Sequence, residues 1–173
     1  NLSLLILIIA IPLVLNVPTN AEFLIFSDSY KVDYLSSFIK ILILVSTLFV
    51  LLTSSQYLKS IQIFNIEYPI LILGSILGMM VMVSSNDLIV FYIGLELQSL
   101  ALYVLASFNR DNVLSSESGL KYFVLSALSS GLLLYGCSLV YGFSSSTNFS
   151  QISFNYDQSA QGIIFGMVFI LVG

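Results

Sequence analysis

Apolar residues run in long stretches along this chain, and polar residues collect in the gaps between them. The stretches cover residues 2–17, 34–58, 68–84, 87–108, 118–142 and 162–173. A helix needs about 20 mostly apolar residues to cross a lipid core about 30 Å thick. The pattern therefore predicts an all-α, polytopic transmembrane helix bundle. It holds about five complete spanning helices and the start of a sixth, all in a single membrane domain over 1–173. The first stretch stops at Pro18 and is softly broken at Pro12. It has neither the basic head nor the small-residue cleavage site of a signal peptide, so it reads as part of a spanning helix. The chain opens without Met inside one apolar stretch and closes inside another, the pattern expected of a piece of a longer protein.

The connections are polar and mostly short. "SSND" at 84–87 is nearly a bare turn, with Asn86 or Asp87 suited to cap the helix that follows. "NRDNVLSSES" at 109–118 carries Arg110 and leads into a helix rich in Ser and Glu at its start. The stretch at 143–159 has no positive charge, and its Asn148-Phe-Ser triplet fits a glycosylation acceptor only at the level of a common motif. With loops alternating sides, Lys59 and Arg110 share one side. Lys31 lies on the other, and Lys40 sits a turn or two into the second helix. This slight bias marks the Lys59/Arg110 side as cytoplasmic or, in a mitochondrion, matrix.

Composition agrees. Of 173 residues, 58% are hydrophobic and 8% charged, against roughly 25% charged in soluble domains; the solvent is lipid. Acids exceed bases, 9 to 5, but are scattered, and no basic patch exists to bind nucleic acid. There is no His and one Cys. That set cannot by itself ligate haem, zinc or an iron–sulfur cluster, so no cofactor is expected in this chain. Cys137, in an apolar helix, reads as a small packing residue.

Two charges fall inside the apolar stretches. Glu96 is the tenth residue of the segment opening at Asp87, roughly 14 Å in and close to the bilayer centre. A charge there costs about 2.5–3.5 kcal/mol on insertion scales. Tyr92, Ser99 and Tyr103 fall within about 60° of Glu96 around the helix and form with it a supporting polar stripe. One reading makes this a polar contact that holds helices together. The other, preferred because intramembrane acids commonly mark ion pathways, makes it a proton-handling site.

Lys121 lies about a turn past the expected start of its helix, within snorkelling reach of the interface. Ser118 and Ser129 flank it, which also allows an inward, hydrated position. Desolvation favours the neutral form of a carboxyl and a nearby ammonium favours the ionised form. A Glu and a Lys in one network thus make a switchable site without a cofactor. Close-packing faces are expected at Ser126/Ser130, Ala127/Gly131 and Gly74/Gly78. With no His base, and with the serines in turn or packing contexts, nothing points to nucleophilic catalysis.

"YIGLELQSLALYVL" followed by "SGLKYFVLSALSSGLLLYGCSLVYG" resembles subunit 2 of mitochondrial NADH:ubiquinone oxidoreductase, respiratory complex I. The core of the likeness covers 67–173, and bacterial counterparts and cation/proton antiporter subunits share a looser version. The resemblance implies part of an antiporter-like inverted-repeat fold with a broken helix in each repeat. It implies proton translocation driven by quinone reduction, with Glu96 and Lys121 matching the family's fifth-helix glutamate and sixth-helix lysine. Flavin, iron–sulfur clusters and quinone are then expected in partner subunits of the membrane and redox arms. The location implied is the mitochondrial inner membrane, with a bacterial plasma membrane as the alternative. The family's first helix and everything after the opening of the seventh have no counterpart here, so a naturally short chain would need a second polypeptide to supply them. Two other readings stay open: a cation/proton antiporter subunit with no redox partner, and a purely structural membrane subunit.

Overall fold

The computed structural model of the chain describes residues 2–18, 23–60, 66–154 and 161–173. In order, its elements are α1 (Leu2–Leu15), β1 (Phe23–Ile25), β2 (Tyr30–Val32), α2 (Tyr34–Ser60), α3 (Glu67–Val83), α4 (Leu88–Ala106), α5 (Val113–Ser144), α6 (Phe149–Phe154) and α7 (Gln161–Val172). By length and composition α2, α4 and α5 are long and apolar enough to cross a membrane; α1, α3 and α7 are shorter apolar helices of 14, 17 and 12 residues. α1 continues through Pro12, contrary to the expected break. The missing proline N–H forfeits a single ladder bond, a loss that apolar helices tolerate.

Local side-chain chemistry sets the helix starts. Ser36 N–H donates to the Asp33 carboxylate at 2.7 Å, and Asp33 N–H donates back to Ser36 Oγ at 3.0 Å. This is a reciprocal capping box that opens α2. Asp87 accepts from Ile89 N–H at 2.8 Å and so opens α4, as its place in the turn led us to expect. Asn112 accepts from Leu114 N–H at 2.9 Å, which starts α5 at Val113, five residues ahead of the expected 118. Ser115 and Ser118 then donate to the Ala106 carbonyl and tie the start of α5 to the end of α4.

The antiparallel β1–β2 pair was not expected. Its tight turn puts Phe26, Ser27 and Asp28 at φ of 56°, 54° and 66°, without the glycine that usually signals such a conformation. The hairpin closes one end of the bundle. Lys31 N–H donates to the Ser84 carbonyl at 2.8 Å, Asn86 N–H to the Ser29 carbonyl at 2.9 Å, and the Asn86 and Asn148 amides both donate to the Asp28 carbonyl. Thr147 Oγ1 donates to the Asp87 carboxylate at 2.5 Å. Just inside this end, buried Lys40 donates to the Tyr30 hydroxyl at 3.1 Å. At the other end Arg110 pairs with Glu67 at 2.9 Å. The connections among the described residues therefore alternate between the two ends, as the succession of spanning segments predicts.

Helix packing is closest at glycines. A Cβ on Gly78 would stand 2.5 Å from Gln98 N and 2.7 Å from the Gly94 carbonyl, so α3 and α4 touch backbone to backbone there. Gly136 and Gly166 do the same for α5 and α7. Gly74 and Gly131, expected on packing faces, have open space where a Cβ would go. One apolar cluster joins α1, α2 and α3 through Leu7, Leu44, Leu51, Ile72 and Ile76; a second joins α4, α5 and α6 through Leu88, Leu133, Cys137, Val140 and Ile152. Many large apolar side chains face outward, among them Phe49, Leu77, Ile93, Leu125 and Phe165, as a lipid-solvated bundle requires.

Two predictions follow from these contacts. Gly78→Ala should force α3 and α4 apart and cost about 1–3 kcal/mol by overpacking, while Gly74→Ala should be silent; thermal denaturation in detergent separates the two. The Ser36 N–H chiefly holds the Asp33 carboxyl below its ordinary value, against desolvation and with help from the Ser36 hydroxyl and Lys31. A depressed carboxyl contributes stability above its unfolded value of 3.8 and loses it as pH falls through the lower folded value. Protection against hydrogen exchange at the start of α2, relative to the intrinsic rate at each pH, should therefore fall on acidification, and this acid response should vanish in Asp33→Asn. An unchanged acid response in that variant would remove Asp33 as its cause.

Candidate functional site

Helix α4 is held on two sides. Its Gly94–Gln98 backbone lies on α3, while Tyr92 and Leu95 pack on the cluster that includes Leu133 and Cys137 of α5. Ile93, Leu97 and Leu100 are exposed. Glu96 is the ninth of the 19 residues of α4, and at 100° per residue it falls at the edge of the α5-facing side, next to the exposed strip. Its side chain is half-buried, and its Oε1 is fully buried and accepts no hydrogen bond among the described residues. A carboxyl oxygen in that position carries the full desolvation penalty unless it holds a proton or gains a donor.

The remaining stripe residues divide by role. Ser99 Oγ donates to the carbonyls of Leu95 at 2.8 Å and Glu96 at 3.1 Å, so its proton is engaged within its own helix. Tyr92 packs against the α4–α5 cluster. Tyr103 is buried and donates to Ser126 Oγ of α5 at 2.5 Å. Its ring stands edge-on to Tyr122 at 5.0 Å and Phe123 at 5.8 Å, which fixes its direction.

Lys121 is not brought to Glu96. Gly119 meets Ser107 and Ser126 meets Tyr103, so Lys121 stands level with about residue 106 of α4. Glu96 lies about ten residues further along, roughly 15 Å. Lys121 is also two residues from Gly119, about 200° round the axis, and so leaves α5 on the side away from α4. There its Nζ pairs with Glu117 Oε1 at 2.5 Å, with the two side chains 68% and 50% exposed. The Glu117–Lys121 spacing is the i,i+4 signal of a helical ion pair and is visible in the sequence. The small-residue pattern places Ser126 on a packing face; the register between the two helices shows it as the partner of Tyr103.

Residues 85–173 match the family described as NADH:quinone oxidoreductase/Mrp antiporter, transmembrane. The chain is 66% identical over 173 residues to the NADH-quinone oxidoreductase subunit N of Pelagibacter ubique, covering all of this chain and 37% of that one. Against subunit N of Maricaulis maris it is 50% identical over 155 residues, covering 89% of this chain and 32% of the relative. It thus spans about a third of the length of these relatives. Among solved structures, respiratory complex I from Thermus thermophilus with bound aureothin matches at 27% identity and a TM-score of 0.76, over 99% of this chain and 36% of that one. The fold also recurs at 20% identity and a TM-score of 0.79 in an archaeal membrane-bound sulfane sulfur reductase, over 99% of this chain and 36% of that one. The chain belongs to the NADH:quinone oxidoreductase/Mrp antiporter transmembrane family and has the antiporter-like fold of its complex I members.

Proposed function

We propose that the chain works in the membrane arm of a respiratory NADH:quinone oxidoreductase and takes part in translocating protons there, with Glu96 as the residue that binds and releases them. The observation that carries this reading is the buried, unmatched Oε1 of Glu96 halfway along α4. A purely structural contact would spend that oxygen on a helix-to-helix hydrogen bond. Electron transfer belongs to partner subunits holding flavin, iron–sulfur clusters and quinone, since this chain has no His and a single Cys. The membrane is an energy-coupling one, and the Lys59/Arg110 end of the bundle faces its proton-uptake side. The similarity to subunit N of Pelagibacter ubique, at 66% identity, favours a bacterial membrane over the mitochondrial inner membrane. The family description also names the Mrp antiporter, which supports a second reading as a cation/proton antiporter subunit; Glu96 would then couple cation and proton movement.

Glu96→Gln in the assembled enzyme tests the proposal. Removing a positioned proton-transfer group slows its step by roughly 10²-fold or more, so proton translocation should fall by about that factor while native gels show normal assembly. An unchanged proton-to-electron ratio would leave Glu96 a helix contact. Mass spectrometry of the native complex separates the two transport readings, because flavin and iron–sulfur subunits travel with this chain in the first and not in the second.

A further inference from the structure

At the Lys59 end of the bundle, α1, α2 and α3 surround a cavity of about 300 Å³, lined by Ser3, Leu51, Ser55, Lys59, Tyr68 and Pro69 among others. Leu51, Ser55 and Lys59 follow one another at four-residue intervals, so α2 presents them as a single stripe. That stripe grades from a buried leucine through a half-buried serine to an exposed lysine at the rim. Ser3 and Tyr68 bring two more hydroxyl-bearing side chains to the wall. α3 opens here behind Ile66, which has no side chain to cap the first N–H groups, so the positive end of that helix adjoins the cavity. The acid beside it, Glu67, is paired with Arg110 at 2.9 Å. The chamber is therefore polar and cationic in character.

Tyr68 also lines a second hollow, a groove of about 410 Å³ formed by α2, α3 and α4. Its walls are mostly apolar, with Ile43, Val50, Ile72, Ile76, Met79 and Leu102 among them. Thr47, also in the wall, donates its hydroxyl to the Ile43 carbonyl at 2.7 Å and so presents its methyl chemistry rather than a donor. From Tyr68 to Met79 the groove follows α3 for roughly 16 Å. That is about half of a lipid core about 30 Å thick, the depth of one leaflet. A cationic chamber at the interface and an apolar groove one leaflet deep thus meet at a single tyrosine ring.

We propose that the two hollows together hold one anionic phospholipid from the leaflet on the Lys59/Arg110 side, its phosphate in the cavity and one acyl chain in the groove. Lys59 supplies the charge and up to three N–H donors, and the hydroxyls of Ser3, Ser55 and Tyr68 can turn to donate as well. Ser55 Oγ rests on the Leu52 carbonyl at 3.2 Å, a long bond that a phosphate oxygen replaces at little cost. Tyr68 stands where tyrosines anchor at a membrane interface, its ring toward the chain and its hydroxyl toward the headgroup. Charge complementarity selects the occupant: basic pockets between spanning helices on the cytoplasmic side take anionic headgroups. Free phosphate would leave the groove unfilled, and a zwitterionic lipid would gain less from Lys59. The site is separate from Glu96 and does not depend on its role.

The test places the assembled membrane enzyme in phosphatidylcholine vesicles containing a phosphatidylglycerol with a photoreactive diazirine on its acyl chain. Cross-linked peptides are identified by mass spectrometry, without turnover. Label should appear on the groove segments of α2 and α3, at 43–50 and 72–79. Lys59→Gln should weaken this labelling about fivefold, whereas Lys31→Gln, at the opposite end, should leave it unchanged. Val50→Trp, at an exposed position in the groove wall, should block it by filling the groove. If that variant fails to assemble, Lys59→Gln decides alone, since Lys59 is exposed and its loss leaves the helix packing intact. A photoreactive phosphatidylcholine should label the same segments less and be indifferent to Lys59→Gln. Equal labelling by the two lipids, or phosphatidylglycerol labelling that ignores Lys59→Gln, would reduce the site to ordinary boundary lipid and overturn the proposal. Displacement of the label by inorganic phosphate would overturn it in favour of a free anion.

Discussion

A carboxyl cannot sit in the middle of a lipid-solvated helix without a proton, a donor or a counter-charge, and the organisation of this bundle around α4 follows from that constraint. Glu96 is nearly equidistant from the ends of α4, where water is furthest away. One side of α4 is pressed onto α3 by the Gly78–Gly94 contact, too tightly to admit any polar side chain. The exposed side carries Ile93, Leu97 and Leu100 and suits lipid or another apolar surface. The side toward α5 carries the Tyr103–Ser126 hydroxyl pair, and Glu96 is placed at its edge.

The ends of the bundle keep α4 in that position. Asp87 serves twice there: one carboxylate oxygen caps α4 and the other takes the Thr147 hydroxyl, which ties the start of α4 to the loop after α5. The hairpin seals the same end through the backbone of Ser29, Lys31 and Asp28. At the opposite end the Ala106 carbonyl receives hydroxyls from Ser115 and Ser118. Since both ends of α4 are tied to α5 and the loop that follows it, these end contacts set the register that brings Tyr103 to Ser126.

The helical architecture was legible because apolar run length is a property of one segment at a time. The depth of Glu96 and the shared face of Tyr92, Ser99 and Tyr103 were legible for the same reason, since angle and rise along a single helix are known in advance. The hairpin was hidden because Phe26, Ser27 and Asp28 adopt positive φ without glycine or an Asn-Gly pair. The early start of α5 was hidden by a polar stretch, "NVLSSES", that reads equally as loop or capped helix. The largest gap concerned Glu96 and Lys121. The sequence places each on its own helix, but whether they meet depends on the relative shift and rotation of α4 and α5. That is decided by small contacts such as Gly119 on Ser107, which no single-helix pattern reports. The resemblance to a proton-translocating family supplied a role for both residues and left their separation unaddressed.

The central claim is that Glu96 changes protonation during turnover. Infrared difference spectroscopy of the assembled enzyme, resting against NADH-reduced, observes that change directly through the carboxylic acid C=O stretch. The account predicts a band in the protonated-carboxyl region that shifts in D2O and is absent from Glu96→Gln. A difference spectrum with no such band, or with a band that survives in Glu96→Gln, would contradict it.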